Sequence, residues 1–250
     1  MSQGFMKQIQ TLINETDVII ELLDARFPNL TRNKQIEGRI KSHKKKLLIV
    51  VNKADLISKR KSEEIKETLI RETKVRVIFV SAKQKKGINL IRRELGMLRG
   101  NKPSFSVGLL GYPNSGKSTL INAISGKGHG RVRTSKKAGF TRGLQKIKIG
   151  EGVYLVDAPG IIPYGMKEEF ELFLVGAKNS NQLREMETVA VKLVEMFKGE
   201  IENKYDVKGD EEEMLEQIGE KKQFFMSGGK VDLAKTARFI LDSYEKNELI

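Results

Sequence analysis

Gly111-Tyr-Pro-Asn-Ser-Gly-Lys-Ser118 follows an apolar run at 105–110 and precedes Thr119-Leu-Ile-Asn-Ala-Ile124, whose apolar residues recur at helical spacing. A buried strand, a glycine loop and a helix N-terminus in that order make a phosphate-binding P-loop. Gly111 and Gly116 let the backbone turn and aim N–H groups at phosphate oxygens, and the helix start adds partial positive charge. Asn114, Ser115, Gly116, Lys117, Ser118 and Thr119 are therefore the residues expected around the phosphates. Lys117 is expected to reach the β- and γ-phosphates, and Ser118 to bind Mg²⁺ through its hydroxyl. The competing reading is a glycine-bearing strand-to-helix turn whose lysine and serine are ordinary surface residues. Four specified positions with the right flanks favour the phosphate site.

Downstream, residues 126–143 are glycine-rich, basic and without periodicity, which is where a switch loop is expected. Thr141 is its candidate to bind Mg²⁺ by the hydroxyl and the γ-phosphate by the N–H. Residues 145–149 and 153–156 read as a hairpin around Gly150-Glu-Gly152, and the second strand ends in Asp157-Ala-Pro-Gly160. Asp157 is expected to hold the Mg²⁺ shell through water, and the Gly160 N–H to contact the γ-phosphate.

Upstream, Leu47-Leu-Ile-Val-Val51 is a continuous apolar run of the kind buried on both faces of a parallel sheet. It leads into Asn52-Lys-Ala-Asp55. Asp55 can accept two hydrogen bonds from guanine N1–H and the 2-amino group, a pattern adenine does not supply. The stem of Lys53 can lie along the base, and Asn52 can tie this loop to the P-loop. Ala54 completes the motif. A helix start with Asp55 near the cap is the alternative, but the buried strand before it and the P-loop in the same chain favour guanine. One helix (62–73) and one strand (75–80) later, Ser81-Ala-Lys83 is expected to set backbone N–H groups against guanine O6. A helix at 87–98 and a linker at 100–104 then return to the P-loop strand. At the start of the chain, a helix at 3–14, a strand at 18–23, a loop around Pro28 and a helix at 35–41 complete the α/β pattern.

The 250 residues include no cysteine, which excludes a disulfide framework and a thiolate metal site. No apolar run approaches membrane-spanning length and the N-terminus lacks a signal-like apolar region, so a cytoplasmic protein without a membrane partner is expected. The net charge of +14 is unevenly placed. Residues 31–60, 71–102 and 127–148 each carry a surplus of eight positive charges, whereas residues 160–219 carry a surplus of seven negative ones. Three patches of one sign suggest a nucleic-acid partner, the alternative being a solvated lysine surface. From residue 166 the pattern turns to acidic helices. The expected division is therefore a P-loop parallel-sheet domain at 1–175 followed by a smaller all-α domain at 176–250.

The guanine motifs precede the phosphate motifs, the reverse of ordinary GTPases. The same parallel sheet can still form if residues 100–104 join the usual chain ends. This order resembles the circularly permuted GTPases of the YlqF/YawG type, across nearly the whole chain. Asp24-Ala-Arg-Phe-Pro28 resembles that family's Asp-Ala-Arg-x-Pro, and Gly229-Lys-Val-Asp-Leu-Ala234 resembles the turn into its last helix. The resemblance implies GTP and GDP as ligands, Mg²⁺, and action in assembly of the large ribosomal subunit through ribosomal RNA, with no role for DNA. It implies Lys117, Thr141 and Gly160 as the residues around the transferred phosphate. Ile161 stands where many GTPases carry a water-orienting glutamine, as in other members of this class. Asn114 resembles the asparagine that coordinates K⁺ in potassium-activated relatives; a loop-stabilising amide is the alternative. Phe5 replaces a histidine that bacterial relatives carry in Gly-His-Met, which argues against a histidine-assisted hydrolysis.

Three functions compete on these residues. The first is a GTP-hydrolysing switch that binds ribosomal RNA, or another GTPase-regulated RNA or translation factor. The second is a P-loop kinase, which Asn52-Lys-Ala-Asp55 opposes. The third is an RNA-binding protein whose nucleotide site is mainly structural.

Overall fold

The computed structural model describes residues 3–126, 145–157, 168–246 and 248–249. They fall into two compact units, Met1–Gly165 and Met166–Ile250.

In the first unit, α1 (Gln3–Glu15), β1 (Val18–Asp24), α2 (Pro28–Thr31) and α3 (Lys34–Ser42) lead into β2 (Lys46–Asn52). Then come α4 (Lys59–Thr73), β3 (Arg76–Phe79), α5 (Ile88–Arg99), β4 (Phe105–Gly111), α6 (Lys117–Ser125), β5 (Gln145–Gly150) and β6 (Val153–Asp157). The six strands form one sheet in the order β3-β2-β1-β4-β6-β5. All neighbours are parallel except the β5–β6 hairpin.

The central strand β1 is buried along its whole length, and its side chains alternate between the two faces. Val18, Ile20 and Leu22 pack with Ile91 and Leu95 of α5 and Leu120 and Ile124 of α6. Ile19 packs with Leu12 of α1 and Ile36 and Ile40 of α3, and Leu23 with Ile65 and Leu69 of α4. Each such aliphatic side chain contributes roughly 1.5–3 kcal/mol by leaving water. The helices read from periodicity are present with ends shifted by a few residues. One difference is α2, a single turn where the sequence suggests only a loop. Pro28 sits at its start, where no N–H is needed, and the Thr31 hydroxyl donates to the Phe27 carbonyl at 2.8 Å.

The second unit contains α7 (Glu169–Leu174), α8 (Met186–Met196), α9 (Lys198–Tyr205), α10 (Glu211–Lys221) and α11 (Leu233–Glu245). Leu193, Met214, Ile218, Ile240 and Leu241 are buried among these helices. Asp210 starts α10 by accepting from the Glu213 N–H at 2.9 Å, while the Glu213 carboxylate accepts from the Asp210 N–H at 3.0 Å. The boundary falls at 165/166 rather than at 175/176, because α7 belongs to the helical core. Phe173 lies 5.4 Å from the Tyr244 ring, and the Tyr244 hydroxyl donates to the Leu174 carbonyl at 3.1 Å. Among the described residues no helix is long and apolar enough to cross a membrane.

Candidate functional site

The parallel strands β2, β3 and β4 end at the same edge of the sheet, and the three motifs of the sequence follow those ends. The Asn52–Asp55 loop leaves β2, residues 81–83 follow β3, and the P-loop leaves β4. Leu109 pairs with Asp157, so β6 delivers its last residue to the same edge.

Asn52 joins the loops. Its side chain is buried, its amide donates to the Ser115 carbonyl at 2.9 Å, and its amide oxygen accepts from the Ala82 N–H at 3.0 Å. The Ala82 N–H expected to face guanine O6 is thus bonded to Asn52. The Ala54 N–H donates to the Val80 carbonyl at 3.0 Å and closes the gap between the two base-side loops. Gly116 is required at this junction. Its φ is +95°, and a Cβ there would stand 2.3 Å from Asn52 Nδ2.

Within the P-loop, Ser115 is buried and its hydroxyl donates to the Tyr112 carbonyl at 2.9 Å. Lys117 Nζ donates to the Gly111 and Tyr112 carbonyls, each at 2.9 Å. Asn114 lies in the left-handed region at φ +55°, and Asn114, Ser118 and Thr119 are exposed. Backbone turned this tightly at the start of α6 suits phosphate oxygens, which fits a nucleotide phosphate chain. No group of three His, Cys, Asp or Glu side chains that could hold a metal occurs among the described residues. The exposed Ser118 hydroxyl at the start of α6 is the described side chain of the expected Mg²⁺ set, and its oxygen suits a hard cation. Thr141, Gly160 and Ile161 lie outside the described residues, as does the side chain of Asp157.

On the base side, Asp55 and Lys83 are exposed, and Lys53 adopts a left-handed backbone at φ +61°. Lys53 Nζ is 2.7 Å from Oδ2 of the buried Asp24, at the end of β1. Arg26 forks onto the same carboxylate, Nε to Oδ1 at 3.1 Å and Nη2 to Oδ2 at 2.8 Å. Burial alone would raise the Asp24 carboxyl, but Arg26 and then Lys53 hold it below the usual carboxylate range. Burial holds Lys53 below the usual lysine range despite Asp24. Sequence reading assigned no role to Asp24 or Arg26, although the Asp-Ala-Arg at the end of a buried strand was their signal.

Glu21 is a second residue that sequence reading passed over. It interrupts the apolar run of β1, is buried, and lines a small pocket with Thr31, Asn33, Leu110, Gly111 and Tyr112, behind the start of the P-loop. Oε1 accepts from the Asn33 N–H at 2.8 Å, while Oε2 meets no donor. Its neighbour is the Glu37 carboxylate, itself held by Arg32 Nη2 at 3.0 Å. Burial first, and then the Glu37 charge, push the Glu21 carboxyl up to about 8. A proton on Glu21 turns the two facing acceptors into a donor and an acceptor.

Residues 106–227 match the protein family described as 50S ribosome-binding GTPase. An uncharacterized GTP-binding protein of Methanocaldococcus jannaschii is 36% identical over 97% of this chain and 65% of its own length. Nucleolar GTP-binding protein 2 of Pneumocystis carinii is 27% identical over 99% of this chain and 53% of its own length. The chain thus spans between 53% and 65% of the length of these relatives. Among solved structures, GNP-bound YlqF from T. maritima has a TM-score of 0.68 at 20% identity, covering 98% of this chain and 95% of that one. GDP-bound YlqF gives 0.69 at 21% identity over 96% and 95%. At these identities the likeness speaks for the fold. By strand order, motif order and these likenesses, the chain has the fold of the circularly permuted P-loop GTPases, as seen in YlqF.

Proposed function

We propose that this protein is a GTP-hydrolysing switch that acts in assembly of the large ribosomal subunit by binding its RNA. The observation that carries the reading is the Asn52 amide, which joins the guanine-side loops to the P-loop and so supports one continuous guanine-nucleotide site. In this reading Asp55 reads the base, Lys53 packs along it, Ser81 to Lys83 flank it, and residues 114–119 hold the phosphates. Thr141 and Gly160 sense the γ-phosphate. Ser118, Thr141 and, through water, Asp157 would hold Mg²⁺, which would neutralise charge on the phosphate oxygens. Ile161 offers no hydrogen bond to an attacking water, which supports a slow intrinsic rate that a ribosomal partner raises. Asn114 is the candidate K⁺ ligand.

The three basic surpluses and the family description support an RNA-bearing ribosomal partner. The test is GTP turnover with and without large ribosomal subunits. Turnover that rises with subunits supports the switch. Binding to subunits with no turnover at all would leave an RNA-binding protein whose nucleotide is structural.

A further inference from the structure

The Asp-Ala-Arg turn after β1 is built to present one carboxylate. Asp24 and Asn52 are register partners on the parallel strands β1 and β2, so Asp24 stands beside the residue that precedes Lys53. The turn is fixed from both sides. The Asp24 N–H donates to the Thr31 hydroxyl at 3.0 Å, the Phe27 N–H to the Asp24 carbonyl at 3.1 Å, and the Ala25 N–H to the Asn52 carbonyl at 2.8 Å. Arg26 orients the carboxylate with its two-point fork, and its backbone N–H donates to Oδ1 at 3.0 Å. Oδ2 then receives Lys53 at 2.7 Å.

We propose that Asp24 is a positioning residue for guanine recognition: it draws the Lys53 ammonium towards β1, so that the aliphatic stem is laid out as the platform for the base. The inference rests on the reading of residues 52–55 as the guanine loop. Its physical ground is preorganisation. A lysine stem with four rotatable bonds loses rotamer freedom when a base stacks on it, and the ion pair with Asp24 removes that freedom beforehand. The left-handed backbone of Lys53 sets where the stem starts, and Asp24 sets where it ends. Because the effect acts at the base, it is shared equally by nucleotides that differ only at the γ-phosphate.

The test is a double-mutant cycle on Asp24→Asn and Lys53→Ala, with affinities for GDP and a non-hydrolysable GTP analogue measured by calorimetry. Asp24→Asn is expected to weaken both ligands by the same factor, about tenfold, the loss of one charge-assisted contact. In the Lys53→Ala background the same change should add nothing. A further loss in that background, or unequal effects on the two ligands, overturns the proposal. If Lys53→Ala leaves both affinities intact while the wild type still prefers GDP over ADP, the lysine is no platform and the proposal falls, but guanine binding stands. Should Asp24→Asn fail to fold, Lys53→Met keeps the stem and removes the ion pair while Arg26 still neutralises Asp24. A loss of about tenfold is expected there too, and an unchanged affinity overturns the proposal.

Discussion

The side-chain amide of Asn52 donates to the Ser115 carbonyl at 2.9 Å, across 63 residues of chain. With its oxygen on the Ala82 N–H, one buried side chain holds three loops at the edge of the sheet. Asn52→Ala leaves a backbone carbonyl and an N–H without partners, at about 1–3 kcal/mol each. Gly116→Ala strains the same junction, because left-handed backbone costs roughly 1–2 kcal/mol with a side chain, and its Cβ would press on the Asn52 amide. Each variant should lower the denaturation midpoint and weaken GDP binding. Together they should cost less than the sum, since both disturb one contact; strict additivity would place the two effects at separate points.

Guanine selectivity should reside in Asp55. Asp55→Asn is expected to weaken GTP and strengthen xanthosine triphosphate, because an amide can donate to the extra carbonyl of that base. Losing the paired acceptors costs about 1–3 kcal/mol for each group left unmet. Competition binding with the two nucleotides checks it, and equal wild-type affinities for GTP and ATP would sink the assignment.

Glu21 predicts a pH dependence of stability. Its carboxyl titrates near 4.5 in the unfolded chain and about 8 in the fold, so between those values the folded protein binds one more proton. The stability it contributes is complete below pH 4.5 and is lost as the pH rises through 8, at up to about 1.4 kcal/mol per pH unit. Glu21→Gln keeps an acceptor for the Asn33 N–H and a donor for Glu37 without an ionisable group. Denaturation at pH 5.5 and pH 8 should show the variant gaining on the wild type at the higher value. An identical pH slope for both proteins refutes the buried proton.

Turnover should respond to K⁺ if Asn114 is an ion ligand. The comparison is K⁺ against Na⁺ at equal ionic strength, for wild type and Asn114→Ala. The wild type is expected to be faster in K⁺, and the variant to have lost the difference. A wild type indifferent to the two ions removes Asn114 from this role.

RNA binding should weaken steeply with salt. Each phosphate neutralised contributes about 0.9 to the log–log slope on a duplex, and less on single strands. Reversing Arg131, Arg133, Lys136 and Lys137 to glutamate should flatten that slope while guanine-nucleotide affinity holds. A slope that does not change assigns these residues to solvated surface.

The glycine loop at 111–118, the Asn52–Asp55 motif and Ser81–Lys83 were legible in the sequence because each is a local device. A buried strand announces itself by an unbroken apolar run, and the loop after it by residues whose backbone or side-chain chemistry suits few other purposes. The order of these devices was enough to infer a permuted sheet, since joining the usual chain ends relabels the strands without moving them. Tertiary structure alone decided the partnerships. The apolar pattern placed Glu21 on a strand and Asp24 just past its end, but not the groups opposite them. The parallel register of β1 with β2 sets Asp24 beside Asn52 and brings it to Lys53, and the packing of α3 on the same face sets Glu37 against Glu21. The change of character at residue 166 was legible, but which unit holds residues 169–174 was hidden for the same reason. Residues 169–174 show only an apolar helix pattern, and the ring of Tyr244, far along the chain, is what binds that helix into the second unit. Ion pairs, shared protons and ring contacts between distant residues depend on which surfaces meet, and no periodicity within a single segment encodes that.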